Sequence, residues 1–183
     1  MQVKHSLSKL IDYVGAICGL LMVLMLLNVF YDVIMRYLFD DVSIGMQELE
    51  WHLFAAMFMF GIGYTLKEDG HVRVDVFYDN FSPTVKAWVN ILGSVLLALP
   101  ITLLIIYYGY GYAFEAYEMN EGSADPGGLP HRWIIRSVIP LSSVFVVLCL
   151  LQVVLTQITI LIDTPKDQSS PQSRSESSAK EEV

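Results

Sequence analysis

The chain has 183 residues, 54% hydrophobic and only 16% charged, with a formal net charge of −8. Soluble domains carry about a quarter charged residues, so the composition excludes an ordinary water-soluble enzyme and points to an integral membrane protein. No basic surface for nucleic acid is present, and the acidic balance reads as membrane topology plus an acidic tail rather than as a signal for a basic ligand.

A spanning helix needs about 20 apolar residues, and four runs approach or pass that length. The expected fold is therefore all-α and integral to the membrane, with four transmembrane helices and short cytoplasmic interfacial helices. Residues 1–12 come first. Val3, Leu7, Leu10 and Ile11 recur there at helical spacing with Lys4 and Lys9 between them, the pattern of a helix lying at an interface before the chain turns inward. The membrane domain follows over residues 13–162, with spans at about 13–35, 49–66, 88–112 and 133–162. The first run is too long for the apolar part of a secretory signal and reads as a permanent span.

Ser43 stands where it can cap the second helix, with Glu48 and Glu50 in its opening turns to complement the positive end. After that helix, Val74, Phe77, Tyr78 and Phe81 repeat at helical intervals and predict a second interfacial helix. Ser82-Pro83 places a capping hydroxyl before a proline at the first helical position, so the third membrane helix should start there. Pro100 and Pro140 fall inside the third and fourth spans and predict kinks, since each removes a backbone hydrogen bond. Residues 163–183 are serine-rich and charged, lack large apolar side chains and read as a disordered cytoplasmic tail.

Orientation follows from lysine and arginine in the short flanking segments. Lys4, Lys9, Lys67, Arg73, Lys86, Lys166, Arg174 and Lys180 fall on one side. Only Arg36, Arg132 and Arg136 fall on the other, among Glu48, Glu50, Glu115, Glu118, Glu121 and Asp125. Both termini are expected to be cytoplasmic. Cys18 and Cys149 lie within spans and read as small buried apolar residues rather than as a disulfide or a metal site.

Charges inside the spans would mark a transport pathway, and the span centres hold none. Asn28 is the deepest strongly polar residue of the first span, with Asp32 one turn on. Asp32 and Arg36 stand at i and i+4 and suit a local ion pair. The alternative is that Arg36 reaches Glu48 or Glu50 across the turn and pins the first two helices together. His52 lies one turn after Glu48 and His131 lies in the last loop, so a haem bound between them is a further alternative. The loop from Asn120 to Pro130 lacks the ligand spacing of a calcium-binding hand and reads as a turn-rich connector. No phosphate loop, dinucleotide turn or nucleophile elbow occurs, so no catalytic, metal or cofactor-binding residue is assigned.

The order of Arg36-Tyr37, then Met46-Gln47-Glu48-Leu49-Glu50-Trp51, then Gly70-His71-Val72-Arg73-Val74-Asp75, with Ser82-Pro83 beyond, resembles the small membrane subunit of tripartite ATP-independent periplasmic (TRAP) transporters. Pro126-Gly127-Gly128-Leu129-Pro130 with Arg132-Trp133 is similar to one branch of that family. The chain departs from many relatives in having Gln47-Glu48 where they have two adjacent glutamates. The resemblance implies a bacterial inner-membrane protein that is not an enzyme and needs no cofactor. Its implied partners are a large membrane subunit, a periplasmic solute-binding protein and membrane lipids. Together they would take up an organic, commonly carboxylate, solute with sodium, this chain serving as a fixed scaffold. Arg36, Glu48, Glu50, Trp51, Gly70, His71, Arg73, Asp75, Arg132, Trp133 and Arg136 are the structural and interface candidates. A stand-alone four-helix exporter is the competing function, although such a pump is expected to carry a glutamate deep in its first span.

Overall fold

The computed structural model describes residues 2–68 and 81–167, which are helical apart from their turns and include no strand. Helix α1, Gln2–Leu38, runs for 37 residues, about 55 Å at 1.5 Å per residue. No turn separates the expected interfacial arm from the first span; the two are one helix, because nothing between Ile11 and Val14 breaks the apolar helical repeat. Helix α2 covers Ile44–Lys67, and the Ser43 hydroxyl accepts the Met46 N–H at 3.3 Å as its cap. Helix α3, Pro83–Glu118, starts at the expected Ser82-Pro83 cap and contains a π-helical segment over Gly93–Ala98. Helix α4, Trp133–Asp167, continues four residues past the expected start of the tail. The predicted second interfacial helix, apart from Phe81, and the rest of the tail lie outside the described residues.

The sequence leads to four spans, whereas three of these helices are long and apolar enough to cross a membrane: Ser6–Leu38, Pro83–Glu118 and Trp133–Ile162. Helix α2 has the length, with 24 residues, but Gln47, Glu48, Glu50 and His52 dilute its first half. It nevertheless lies antiparallel along α1. Lys67 at its end pairs with Asp12, and Asn28 Nδ2 donates to Met46 O at 2.9 Å near its start.

Helix α1 packs chiefly on α2, and α2 and α3 both pack on α4. The buried cluster joins Ile11 of α1 to Phe145 and Cys149 of α4, with Leu7, Val14, Phe60 and Leu66 around it. Gly63 makes this approach possible: a Cβ there would stand 2.5 Å from Phe145 Cε1 and 2.9 Å from Cys149 Sγ. Large apolar side chains such as Leu26, Phe30, Leu97 and Leu104 are exposed, as suits helices surrounded by lipid rather than water.

Along α3 the buried positions are Ala87, Ser94, Thr102, Gly109, Ala113 and Ala116; apart from Ala113, half a repeat beyond Gly109, they recur every seven residues, except for the eight-residue step from Ser94 to Thr102. That step crosses the π turn, where the Leu99 N–H reaches back to Ser94 O. A π turn absorbs one residue beyond the α repeat, so the buried seam keeps facing α4. Pro100 thus follows a π turn, and the carbonyl it would leave unpaired falls in backbone already paired differently. The helix continues through Pro140, and the Ser142 and Ser143 hydroxyls donate to the neighbouring Ile139 O at 3.1 and 2.8 Å.

Candidate functional site

The two turns that join α1 to α2 and α3 to α4 meet at one end of the bundle. The first is tight: Asp40 takes a left-handed φ of 53° and the Asp41 N–H returns to Met35 O at 3.1 Å. The second is built in steps. Helix α3 ends in a Schellman arrangement around left-handed Asn120, with the Asn120 N–H donating to Tyr117 O and the Glu121 N–H to Ala116 O. Asp125-Pro126-Gly127-Gly128 then turns the chain, with Gly128 N–H bonded to Asp125 O at 3.0 Å and Gly127 at φ 84°. Proline second and a positive-φ glycine third is the pattern of a type II turn. Ser123 N–H to Leu129 O and Arg132 N–H to Glu121 O close the loop into a compact ring.

This ring sits on Glu48. The Ser123 hydroxyl donates to Glu48 Oε1 at 2.5 Å and the Leu129 N–H donates to Oε2 at 2.6 Å. Both carboxylate oxygens are therefore held by a loop 75 and 81 residues away. The fit depends on glycine, since a Cβ at Gly128 would stand 2.3 Å from Ser123 Oγ and 2.8 Å from Glu48 Oε2. Glu48 lies just ahead of the apolar run of α2 and is buried. The Ser123 hydroxyl and Leu129 N–H, with the charge of Arg132 beyond, hold its carboxyl below the usual carboxylate range against the opposing effect of burial.

A second cluster flanks the first. Arg136 donates to Glu121 Oε1 at 2.6 Å and stacks 3.9 Å above the Tyr112 ring, so both its charge and its flat face are used. Arg132 stands 3.8 Å from the same Glu121 oxygen, an ion pair beyond hydrogen-bonding distance. Trp133 meets Tyr117 edge to face at 5.6 Å, and Trp51 lies against the His52 ring at 4.0 Å. His52 Nδ1 is 2.5 Å from Glu48 O; a carbonyl only accepts, so the proton is on Nδ1. His131 sits in the loop at φ 60°. No cluster of three or more metal-binding side chains occurs among the described residues.

The structure thus brings together Glu48, Trp51, Arg132, Trp133 and Arg136 of the sequence candidates. Arg36 is placed elsewhere: its Nη2 donates to Asp32 Oδ2 at 2.5 Å. The alternative bridge from Arg36 to Glu48 or Glu50 does not form among the described residues, because Asp32 one helical turn back already takes the guanidinium. Glu50 is half-buried and makes no ion pair among the described residues. Gly70, His71, Arg73 and Asp75 lie outside the described residues. Sequence reasoning missed Glu121, Ser123 and the Leu129 N–H as partners; the only local signal was the paired glycines, which mark a loop meeting something closely. Because the Asp32–Arg36 pair is closed within α1, Arg36→Glu should lower the folded yield several-fold and exchanging the two charges should restore it. Adding Glu48→Arg should not. Monodisperse yield on size exclusion in detergent checks this; rescue by Glu48→Arg would reinstate the bridge across the turn.

The family model described as Tripartite ATP-independent periplasmic transporters, DctQ component, matches residues 25–160. No curated protein matches the chain.

Proposed function

The chain belongs to the DctQ family, the small membrane subunit of tripartite ATP-independent periplasmic transporters, and on that premise we propose that it is a fixed scaffold for the transporter's large membrane subunit. In this reading it crosses the bacterial inner membrane four times with both termini in the cytoplasm, and the Glu48 ring faces the periplasm. Sodium drives uptake of an organic solute of the carboxylate class delivered by the periplasmic binding protein.

One observation carries the scaffold role. Between Asp12 and Asp32 in α1, His52 and Lys67 in α2, Lys86 and Glu115 in α3, and Arg136 and Asp163 in α4, no residue is charged. The deep polar residues Asn28 and Gln152 are neutral. Ionisable side chains at that depth mark ion and substrate pathways, and the lack of them here assigns transport chemistry to the partner. The antiparallel pairing of α2 with α1 supports the fourth span: wherever α1 crosses the bilayer, α2 lies at the same depth along it.

The test is reconstitution. Proteoliposomes with this chain, the large subunit and the binding protein should show sodium-driven uptake, and omission of any one should abolish it. Uptake by this chain alone would overturn the scaffold role in favour of an exporter or uniporter.

A further inference from the structure

We infer that the crevice between α2, α3 and α4 below Arg132 holds one glycerophospholipid, its phosphate on the Arg132 guanidinium and an acyl chain along the apolar walls. This rests on the reading of these helices as membrane-spanning.

The crevice encloses ≈ 390 Å³. Arg132 and Arg136 border it, and Ala55, Met59, Ile135, Val138 and Ile139 form its apolar interior. The two arginines differ. Arg136 is spent on Glu121 and Tyr112. The Arg132 guanidinium has a 3.8 Å approach to Glu121 and the nearby charge of Glu48, but no side-chain hydrogen bond among the described residues, and its side chain is one-third exposed. Five N–H donors in a fixed fork suit a phosphate oxygen pair.

Depth matches as well. Arg132 immediately precedes the apolar stretch Trp133–Ile162, which places its guanidinium at the level of the lipid head groups with the crevice running from there into the hydrocarbon. Size separates the occupants: a helix about 10 Å across rising 5.4 Å per turn fills on the order of 400 Å³ in each turn, so the crevice would take barely one turn of a partner helix but admits a flexible chain.

Electrostatics refines the choice. Glu48 and Glu121 stand close to Arg132 and offset the two arginines. Recognition therefore rests on short hydrogen bonds to the phosphate rather than on net charge, and zwitterionic and anionic phospholipids should bind alike.

Trp51 lines the crevice and supplies the probe. In the full-length chain carrying Trp88→Phe and Trp133→Phe, in dodecyl maltoside, phosphatidylethanolamine and phosphatidylglycerol with dibrominated acyl chains should each quench Trp51 saturably at one lipid per chain. Arg132→Gln should weaken the apparent affinity about fivefold or more, the scale of a lost charge-assisted hydrogen bond. Val138→Phe, which fills the crevice and keeps the arginine, should reduce the saturable quenching. Brominated fatty-acid methyl ester, which has no phosphate, should give only non-saturable quenching, and inorganic phosphate should not displace the phospholipid. Equal quenching curves in parent, Arg132→Gln and Val138→Phe would overturn the site. Binding of phosphatidylglycerol alone, or displacement by inorganic phosphate, would overturn the assignment of its occupant. Because no transport is measured, failure of the scaffold role leaves this result readable.

Discussion

Gly63→Val should abolish recovery of the folded chain, and Gly63→Ala should lower its thermal midpoint without abolishing the fold. The first added carbon already falls 2.5 and 2.7 Å from two atoms of the Phe145 ring and 2.9 Å from Cys149 Sγ, and Phe145 is held by the Phe60 ring 6.0 Å away. Overpacking a core costs about 1–3 kcal/mol, partly offset for alanine by a helix propensity about 1 kcal/mol better than that of glycine. Valine adds two further methyls and gains much less from propensity, so α2 and α4 must separate and uncover Ile11. Trimming the ring in Gly63→Ala with Phe145→Leu should return part of the loss. Thermal scans followed by size exclusion measure all three, and a wild-type midpoint for Gly63→Val would show that the helices do not meet at this residue.

Glu48→Leu should release the 121–132 ring while leaving the helices in place. The readout is hydrogen exchange at the Leu129 amide, which donates to Glu48 Oε2. Loss of a hydrogen bond to a charged acceptor predicts protection lower by about tenfold or more, with amides in the middle of α2 unchanged. Acidity should do the same to the unmodified chain. The carboxyl is held below its ordinary range in the folded state, so its contribution is complete above that range and is lost as the pH falls through the depressed value. Glu48→Gln keeps one acceptor but presents an N–H₂ to a second donor, so its protection should be intermediate and flat across that pH window. Protection that persists in Glu48→Leu, or a pH response that persists in Glu48→Gln, would show that something else holds the loop.

What the sequence disclosed and what it hid divide by distance along the chain. The caps at Ser43 and Ser82-Pro83 involve donors three residues on, and the Asp32–Arg36 pair spans four; such contacts follow from helical geometry alone. The same logic explains why Arg36 goes to Asp32, since the near partner needs no particular meeting of helices. Glu48 was legible as an acid at a helix entrance but not as the seat of a loop, because its partners are set by how α3 and α4 return. Lys67 with Asp12 is hidden for the same reason. Helix α2 shows the limit of apolar counting: its polar first half is satisfied by loop and neighbouring helices, so hydropathy understates how it is accommodated. The single unbroken α1 was missed because lysines between apolar residues read as a surface helix whether or not the helix continues.

The extra residue in the π turn of α3 decides which side chain meets Pro140. Gly109 now does so, and a Cβ there would already be 3.2 Å from Ile139 Cγ2 and 3.3 Å from Pro140 Cδ. If the same residues were wound as a plain α-helix, everything beyond Ser94 would rotate by about 100°, one residue of a 3.6-residue turn. The inward positions would become Ile101, Tyr108 and Glu115. A tyrosine ring would then have to fit where a methyl group is already crowded, and a carboxylate would be turned toward α4. The surplus residue thus acts as a spacer that leaves the tyrosines outside and lets two helix backbones touch.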